Sequence, residues 1–280
     1  MFKRQTEGSV ICTSCGTLVG VNDPVCYNCN RRNPGLWGYA PAFRRLGQDL
    51  GFVPLVLGGT ITLYALSLLL SGAAIQPMLS PSTAVLVLLG SSGAVPVFEL
   101  GRWWTVLTAG WLHAGILHIF FNAMWIRQLG PTVAELYGPG RMVIIYTLAG
   151  VVGFTFSSVA GHYVPFLGRL GGAQLSVGAS APIFGLLGAL VYYGRRTGSR
   201  HVGEAGFQYA LLLGVFGLFF AGVDNQAHLG GFIGGYLAGL LLDPLKPERI
   251  DHLVAGAACL LVTVIALIAS VVTALPYLMR

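Results

Sequence analysis

Charge is what this sequence has least of. Only 9% of its 280 residues are Asp, Glu, Lys or Arg. A soluble domain carries about 25%, and so little polar side chain cannot cover a water-facing body of this length. Carboxylates are missing from the interiors of the apolar runs; every Asp and Glu falls in a loop or near the end of a run, which counts against an ion or proton path built on buried acids. Cysteine is scarce and uneven. Four of the five lie within the first 29 residues, and the remaining one, Cys259, reads as an apolar filler of the last run. The residues before Phe52 contain no apolar core, so no secretory leader is expected there. No repeat or low-complexity stretch stands out.

What is abundant is apolar length. Hydrophobic residues make up 55% of the chain and the mean hydropathy is +0.73. The runs are about 17–23 residues long, enough to cross a hydrocarbon layer of about 30 Å as helices. Seven spans are predicted, over 52–71, 112–129, 142–160, 177–193, 206–223, 227–242 and 253–275. The apolar stretch 84–98 is short and broken by Gly90, Gly93 and Pro96, so it reads as a long, partly membrane-embedded loop. The expected class is an all-α polytopic membrane protein. Forty glycines, many inside the spans, suit close helix packing in lipid.

Basic residues set the expected orientation. With the amino terminus inside, all of the sixteen Lys and Arg face the cytoplasm except Arg102, Arg169 and Arg280. That bias places the amino terminus in the cytoplasm and the carboxyl terminus outside. The net charge of +6 therefore reads as topology and contact with the lipid bilayer, with no nucleic-acid partner.

Cys12-x2-Cys15 and Cys26-x2-Cys29 form two knuckles. Such spacing places four thiolates around one tetrahedral zinc, and the loop between them is too short to fold without it. A pair of disulfides is the alternative, disfavoured in a reducing cytoplasm. The expected organisation is a zinc-ribbon-like module over 1–33, a linker over 34–51 containing Pro34, Gly35, Pro41 and Gly47, and a transmembrane domain over 52–280. The zinc is expected to be structural because protein fills all four positions.

Polar side chains are costly in lipid, so each one in a span needs a reason. The second, fourth and sixth spans run in the same direction and carry such groups in their outer halves: His113, His118 and Asn122, then Ser180, then His228. His118 and Asn122 share a helix face. Ser180 follows Gly178 and precedes Pro182, a pattern suited to a helix start where free N–H groups can meet an oxyanion. Glycines 185 and 188 on the fourth span, and 231, 235 and 239 on the sixth, would let these helices approach closely enough for a Ser180–His228 hydrogen bond. Singly, each residue has a plain structural reading. A serine usually bonds back to its own helix, Asn122 can cross-link helices, and Phe184 can be ordinary core.

The stretches Trp111-Leu-His-Ala-Gly-Ile-Leu-His-Ile-Phe-Phe-Asn122, Gly178-Ala-Ser-Ala-Pro-Ile-Phe-Gly-Leu-Leu-Gly188 and Ala227-His-Leu-Gly-Gly231 resemble, in order, the three signature segments of the rhomboid family. Gly101-Arg-Trp-Trp-Thr-Val-Leu-Thr108 resembles the loop before the first, and Glu135, Gly138, Arg141 and Tyr146 resemble the turn into the third span. The resemblance runs from about Phe52 onward. It implies a rhomboid-like six-helix core plus one C-terminal helix, and an intramembrane serine protease with Ser180 as nucleophile and His228 as base. It further implies an oxyanion site at His118, Asn122 and the Ser180 N–H, with His113, Gly178 and Phe184 in support. Substrates would be transmembrane proteins, with no catalytic cofactor. With every Asp and Glu in a loop or at a span end, a Ser–His dyad is expected over a triad; Asp224, four residues before His228, is the one acid that could approach it. Two positions depart from the family: Ala181 stands where glycine is usual, which is expected to narrow the cleft or shift the backbone. Thr105 replaces an arginine expected to anchor the loop in headgroups. The rival expectations are an inactive rhomboid-like protein that binds membrane clients, supported by Ala181, and a zinc-ribbon sensor or channel. A prokaryotic plasma membrane suits the arrangement, with a cytoplasmic partner for the zinc ribbon.

Overall fold

The structure, a computed structural model, describes residues 3–44, 49–220 and 222–278. Arg45 and Gly47 of the expected linker, and Arg280 of the outer basic set, lie outside them.

The chain opens with a two-stranded antiparallel sheet, β1 (Ser9–Ile11) and β2 (Leu18–Gly20), in register Val10↔Val19. Val10, Val19 and Val21 pack on Cys12 and Cys26. So few apolar side chains cannot hold a fold of this size alone. A short helix, α1 (Ala40–Arg44), leads towards the first long one.

Helix α2 (Phe52–Ser71) starts where Asp49 accepts the Val53 N–H at 2.6 Å, satisfying one of the open donors of a helix start. Helix α3 (Thr83–Leu89) is capped by Ser82, whose hydroxyl accepts from Val85. A π-helical turn at Val95–Glu99 and the short α4 (Thr105–Thr108) complete the stretch that the sequence suggested was an embedded loop. The long helices follow: α5 (Ile116–Tyr137), α6 (Pro139–Tyr163), α7 (Ser180–Thr197), α8 (Arg200–Phe219), α9 (Asn225–Leu241) and α10 (Ile250–Leu278).

A helix therefore stands at each of the seven expected positions, with shifted ends. The second starts at Ile116 instead of Leu112, because Gly115 is extended and ends the preceding turn. The fourth starts at Ser180 instead of Val177, because Gly178 has φ +127°. Four of the described helices are long and apolar enough to cross a membrane by length and composition, or five if α4 and its extension to Trp111 count with α5 across a 93° bend. Helices α7 and α9 are not among them. Helix α7 is almost wholly buried, with α6 and α9 packed on it, whereas α9 is only 17 residues long and presents Leu229, Ile233 and Leu237 outward. The protein is an integral membrane protein with an all-α transmembrane body.

Hydroxyls within the apolar helices mostly return to their own backbone, as Thr60 to Val56, Ser158 to Phe154 and Thr263 to Cys259. This satisfies the donor without a partner helix. The long-range polar ties are few and specific. Arg102 is buried and donates to the carbonyls of Val87 and Ser270, both at 2.6 Å. Trp104 Nε1 donates to the Ser270 hydroxyl at 3.2 Å. These bonds fasten the 90–111 segment to α10. At the other end of the bundle Arg141 donates to the carbonyls of Lys246 and Pro247 at 2.7 and 2.8 Å.

Candidate active site

The glycines bring α7 and α9 together. A Cβ on Gly231 would overlap the Ala181 carbonyl, and one on Gly235 the Gly185 carbonyl, so only hydrogen permits this backbone separation. At the end of that seam Ser180 Oγ and His228 Nε2 stand 2.8 Å apart. Ser180 is the first residue of α7 and follows Gly178, whose left-handed backbone brings the His118 imidazole to within 2.5 Å of where a Cβ would sit. A residue in the first turn of a helix leaves its N–H without an intrahelical acceptor.

The His228 ring lies flat on Phe184, with centroids 4.2 Å apart and planes 12° apart. Its Nδ1 is buried and has no hydrogen-bond partner among the described residues. The acid that the sequence placed nearest to it does other work. Asp224 Oδ1 accepts the Ala227 N–H at 3.0 Å, and Oδ2 accepts the Ser157 and Ser176 hydroxyls, each at 2.6 Å. Asp224 caps α9, and its carboxylate is not hydrogen-bonded to the His228 ring; only its backbone carbonyl accepts the His228 N–H, at 3.1 Å.

Ser180, His228, His118, Asn122 and Phe184 all line one cavity of about 1190 Å³. Its walls are mainly apolar, with Phe121 and Trp125 of α5 opposite Leu213 and Phe216 of α8. Asn122 donates one amide hydrogen to the His118 carbonyl at 2.9 Å, and its carboxamide has a second to offer. His113 is buried in the turn before α5, edge-on to His118 with centroids 5.2 Å apart. It does not line the cavity. Gly178 sits beneath His118 as its backbone conformation requires.

One expectation about the departures from the family pattern is corrected, that Ala181 narrows the cleft. The Ala181 side chain is wholly buried in a cluster with Ala109, Phe154 and Ala227, and the residue is not part of the cavity lining. The first helical turn points residue 181 towards α6 while 180 faces the cavity, so the methyl neither narrows the cleft nor obstructs it. Thr105 is also buried and donates to the Arg102 carbonyl. The loop keeps a cation in Arg102, used on backbone carbonyls of the protein. Trp103 is exposed, whereas Trp104 is tied to Ser270. Sequence reasoning missed the roles of Arg102, Ser270 and Asp224. A buried arginine or an N-capping aspartate in so apolar a chain was a signal that something specific had to compensate it.

The four cysteines of the opening module converge as well. Cys12, Cys15, Cys26 and Cys29 place their sulfurs within 4.8 Å of one another, with Cys12–Cys29 at 3.8 Å and Cys15–Cys26 at 3.6 Å. A tetrahedron with sulfur about 2.3 Å from a zinc has edges of about 3.8 Å, so the donor set and its spacing fit a metal ion. Burial, with help from the neighbouring thiols, pushes Cys29 up to about 12. For Cys15 burial acts upward too but is outweighed, chiefly by the Thr17 hydroxyl and amide, and the group falls to about 6. A cation at the centre would favour four thiolates together. The module leans on the bundle through Ser14 and Arg31, which donate to the Glu248 carbonyl at 3.2 and 3.5 Å. Burial raises the pKa of the Glu248 carboxyl, which accepts the Arg141 N–H at 3.0 Å.

Comparison with known proteins adds a family to this geometry. The Rhomboid domain model matches residues 100–244. The chain is 34% identical over 166 residues to "Rhomboid protease GluP" of Bacillus subtilis, covering 58% of this chain and 30% of that protein. It is 34% identical over 171 residues to "RHOMBOID-like protein 7" of Arabidopsis thaliana, covering 60% and 51%. It is 30% identical over 166 residues to "Inactive RHOMBOID-like protein 8" of the same plant, covering 56% and 43%. The chain thus spans between 30% and 51% of the length of these relatives. The match takes in the 101–108 loop, α5 to α9 and every residue lining the Ser180–His228 seam, and on that ground the chain belongs to the rhomboid family.

Proposed function

We propose that the protein is an intramembrane serine endopeptidase that hydrolyses peptide bonds in or near the transmembrane helices of membrane proteins. The observation that carries the reading is the 2.8 Å contact between Ser180 Oγ and His228 Nε2 on the wall of an apolar cavity. In the proposed mechanism His228 takes the Ser180 proton as the oxygen attacks the scissile carbonyl, then returns it to the leaving amine. A water deprotonated by the same imidazole resolves the acyl-enzyme. The Ser180 N–H, the free Asn122 amide hydrogen and His118 face the developing oxyanion. Phe184 holds the imidazole plane, Gly178 makes room for His118, and His113 backs it. With no acid on Nδ1, the machinery is a dyad.

The amino terminus is assigned to the cytoplasm and the carboxyl terminus to the outside, with seven spans, so cleavage takes place near the outer face. A prokaryotic plasma membrane is the assigned site. Residues 1–33 form a cytoplasmic module with a structural zinc on Cys12, Cys15, Cys26 and Cys29, and residues 34–51 link it to the membrane domain. Four protein thiolates leave the metal no open position for chemistry. A cytoplasmic partner of this module is part of the proposal.

The second reading, an inactive client-binding protein, is favoured by the similarity to an inactive relative; burial of Ala181 away from the cavity removes the sequence argument for it. A fluorophosphonate probe decides between them. The native protein is expected to label at Ser180 and to cleave a model transmembrane substrate. Ser180→Ala and His228→Ala are expected to lose cleavage by more than about 10³-fold with the unfolding midpoint nearly unchanged. A native protein that neither labels nor cleaves makes the inactive reading correct.

A further inference from the structure

Asp224 stands on the cavity wall between the two halves of the site. It is the only acid on the wall of the cavity among the described residues, it lies one helical turn before His228, and its oxygens take three hydrogen bonds from three separate parts of the chain. Oδ1 receives the Ala227 N–H and so fixes the first turn of α9. Oδ2 receives the hydroxyl of Ser157 from α6 and that of Ser176 from the strand-like run leading to Ser180. Ser176 in turn exchanges backbone bonds with Ser92 at 3.0 and 2.7 Å, and Ser157 Oγ accepts the Ala173 N–H at 3.0 Å. One carboxylate thereby joins the segment four residues ahead of Ser180 to the helix start four residues ahead of His228.

This matters because nothing else polar orients the imidazole from behind. Its Nδ1 has no partner among the described residues, and stacking on Phe184 fixes the plane of the ring but leaves it free to slide within that plane. The position of the ring along the seam then depends on where α9 begins relative to the Ser180 segment. Glycine packing sets how near the two helices lie, but glycine has no side chain with which to fix a register between them. Hydrogen bonds to a carboxylate are short, directional and about twice as strong as neutral ones, which suits them to that task.

We propose that Asp224 is a positioning residue. It clamps the start of α9 to the Ser157 and Ser176 hydroxyls and so sets the register of His228 against Ser180. The inference rests on the protease reading above, and it assigns the acid to the backbone of the site instead of to the base.

The test uses the full-length protein in detergent with a model transmembrane substrate, fluorophosphonate labelling and ring-¹⁵N-labelled histidine, with His228 identified by its loss in His228→Ala. Ser157→Ala combined with Ser176→Ala removes the clamp and keeps the cap. Asp224→Asn keeps a good cap and can keep part of the clamp, because the serine hydroxyls can turn. Asp224→Ala loses both. Misplacement of a reacting group by about 1 Å costs about 10²-fold. The expected order of kcat is therefore native, then Asp224→Asn, then the double serine variant at about 10-fold down, then Asp224→Ala at about 10²-fold down. KM should stay within about twofold throughout, on the same transition-state argument. The hydrogen-bonded Nε2 signal of His228 should weaken in the same order. A double serine variant with native kcat and a native His228 signal overturns the proposal. So does a rise in KM at unchanged kcat, which makes Asp224 a substrate contact. If the native protein takes no label, the protease reading fails instead, and the His228 signal alone then decides whether the clamp exists.

Discussion

The two polar centres of this molecule reach a fixed geometry by opposite means. The four sulfurs come from two short loops only ten residues apart in sequence, packed on a few valines, and as thiolates they would repel one another without a cation between them. Ser180 and His228 are 48 residues apart and are held by helices that touch backbone to backbone. In the first case the proposed ion would organise the protein. In the second the protein organises two side chains before any ligand arrives. Chelation should therefore dissolve the first centre and leave the second, whereas adding a methylene group at the right place should do the reverse.

That contrast can be broken most severely at Gly235. Replacing it by Leu forces side-chain carbon into the Gly185 carbonyl. Overpacking of this kind costs about 1–3 kcal/mol or more, and separating α7 from α9 should lower cleavage by at least about 10²-fold. Metal content should be unchanged. Cleavage at the native rate would mean that the seam is not what holds the dyad. Asn122→Ala comes next, with about a 10²-fold fall in kcat if its free amide hydrogen meets the oxyanion; an unchanged kcat makes it a helix cross-link. Ala181→Gly should be milder. Its methyl packs against Phe154 and Ala227, so the loss is about 1 kcal/mol of stability, read as a lower unfolding midpoint. The range of residues accepted around the scissile bond should not widen, and if it did, the methyl would have to face the cleft after all.

The smallest effect on Ser180 is expected from the metal. One zinc per chain should be found, retained at neutral pH and released on acidification, since protons compete for the thiolates. Cys12→Ser with Cys15→Ser should abolish it. Probe labelling of Ser180 should then change by less than about threefold, an order-of-magnitude bound that treats the sites as uncoupled. A larger loss with the helices still folded would show that the Ser14 and Arg31 contacts to Glu248 carry influence across the bundle.

Much of this was legible in the sequence because it depended on local pattern. Apolar run lengths located the helices, the Cys-x2-Cys pairs located the metal-fitting cluster, and the glycines of the fourth and sixth runs pointed to a close approach. Helix starts were less legible, since they depend on single backbone conformations such as that of Gly178. The destination of Ala181 could not be read at all. Whether a methyl faces a cleft or a neighbouring helix depends on a rotation of α7 that composition does not reveal. The work of Asp224 was hidden for another reason: the sequence favoured a dyad without it, but its serine partners lie 48 and 67 residues away and no local pattern points to them.

The fastening of the 90–111 segment to α10 bears on how the molecule is made. Arg102 and Ser270 are 168 residues apart, and at about 5–20 residues per second a ribosome needs about 8–34 s to get from one to the other. Through that interval Arg102 has carbonyls of α3 to bond but none from α10, and Trp104 lacks its hydroxyl partner. The same segment accepts the Gly178 N–H through Ala109, so the neighbourhood of Ser180 is finished late. Both members of the proposed dyad are synthesised well before the helix that secures their surroundings, and a newborn chain spends its first seconds in the membrane with that brace still missing.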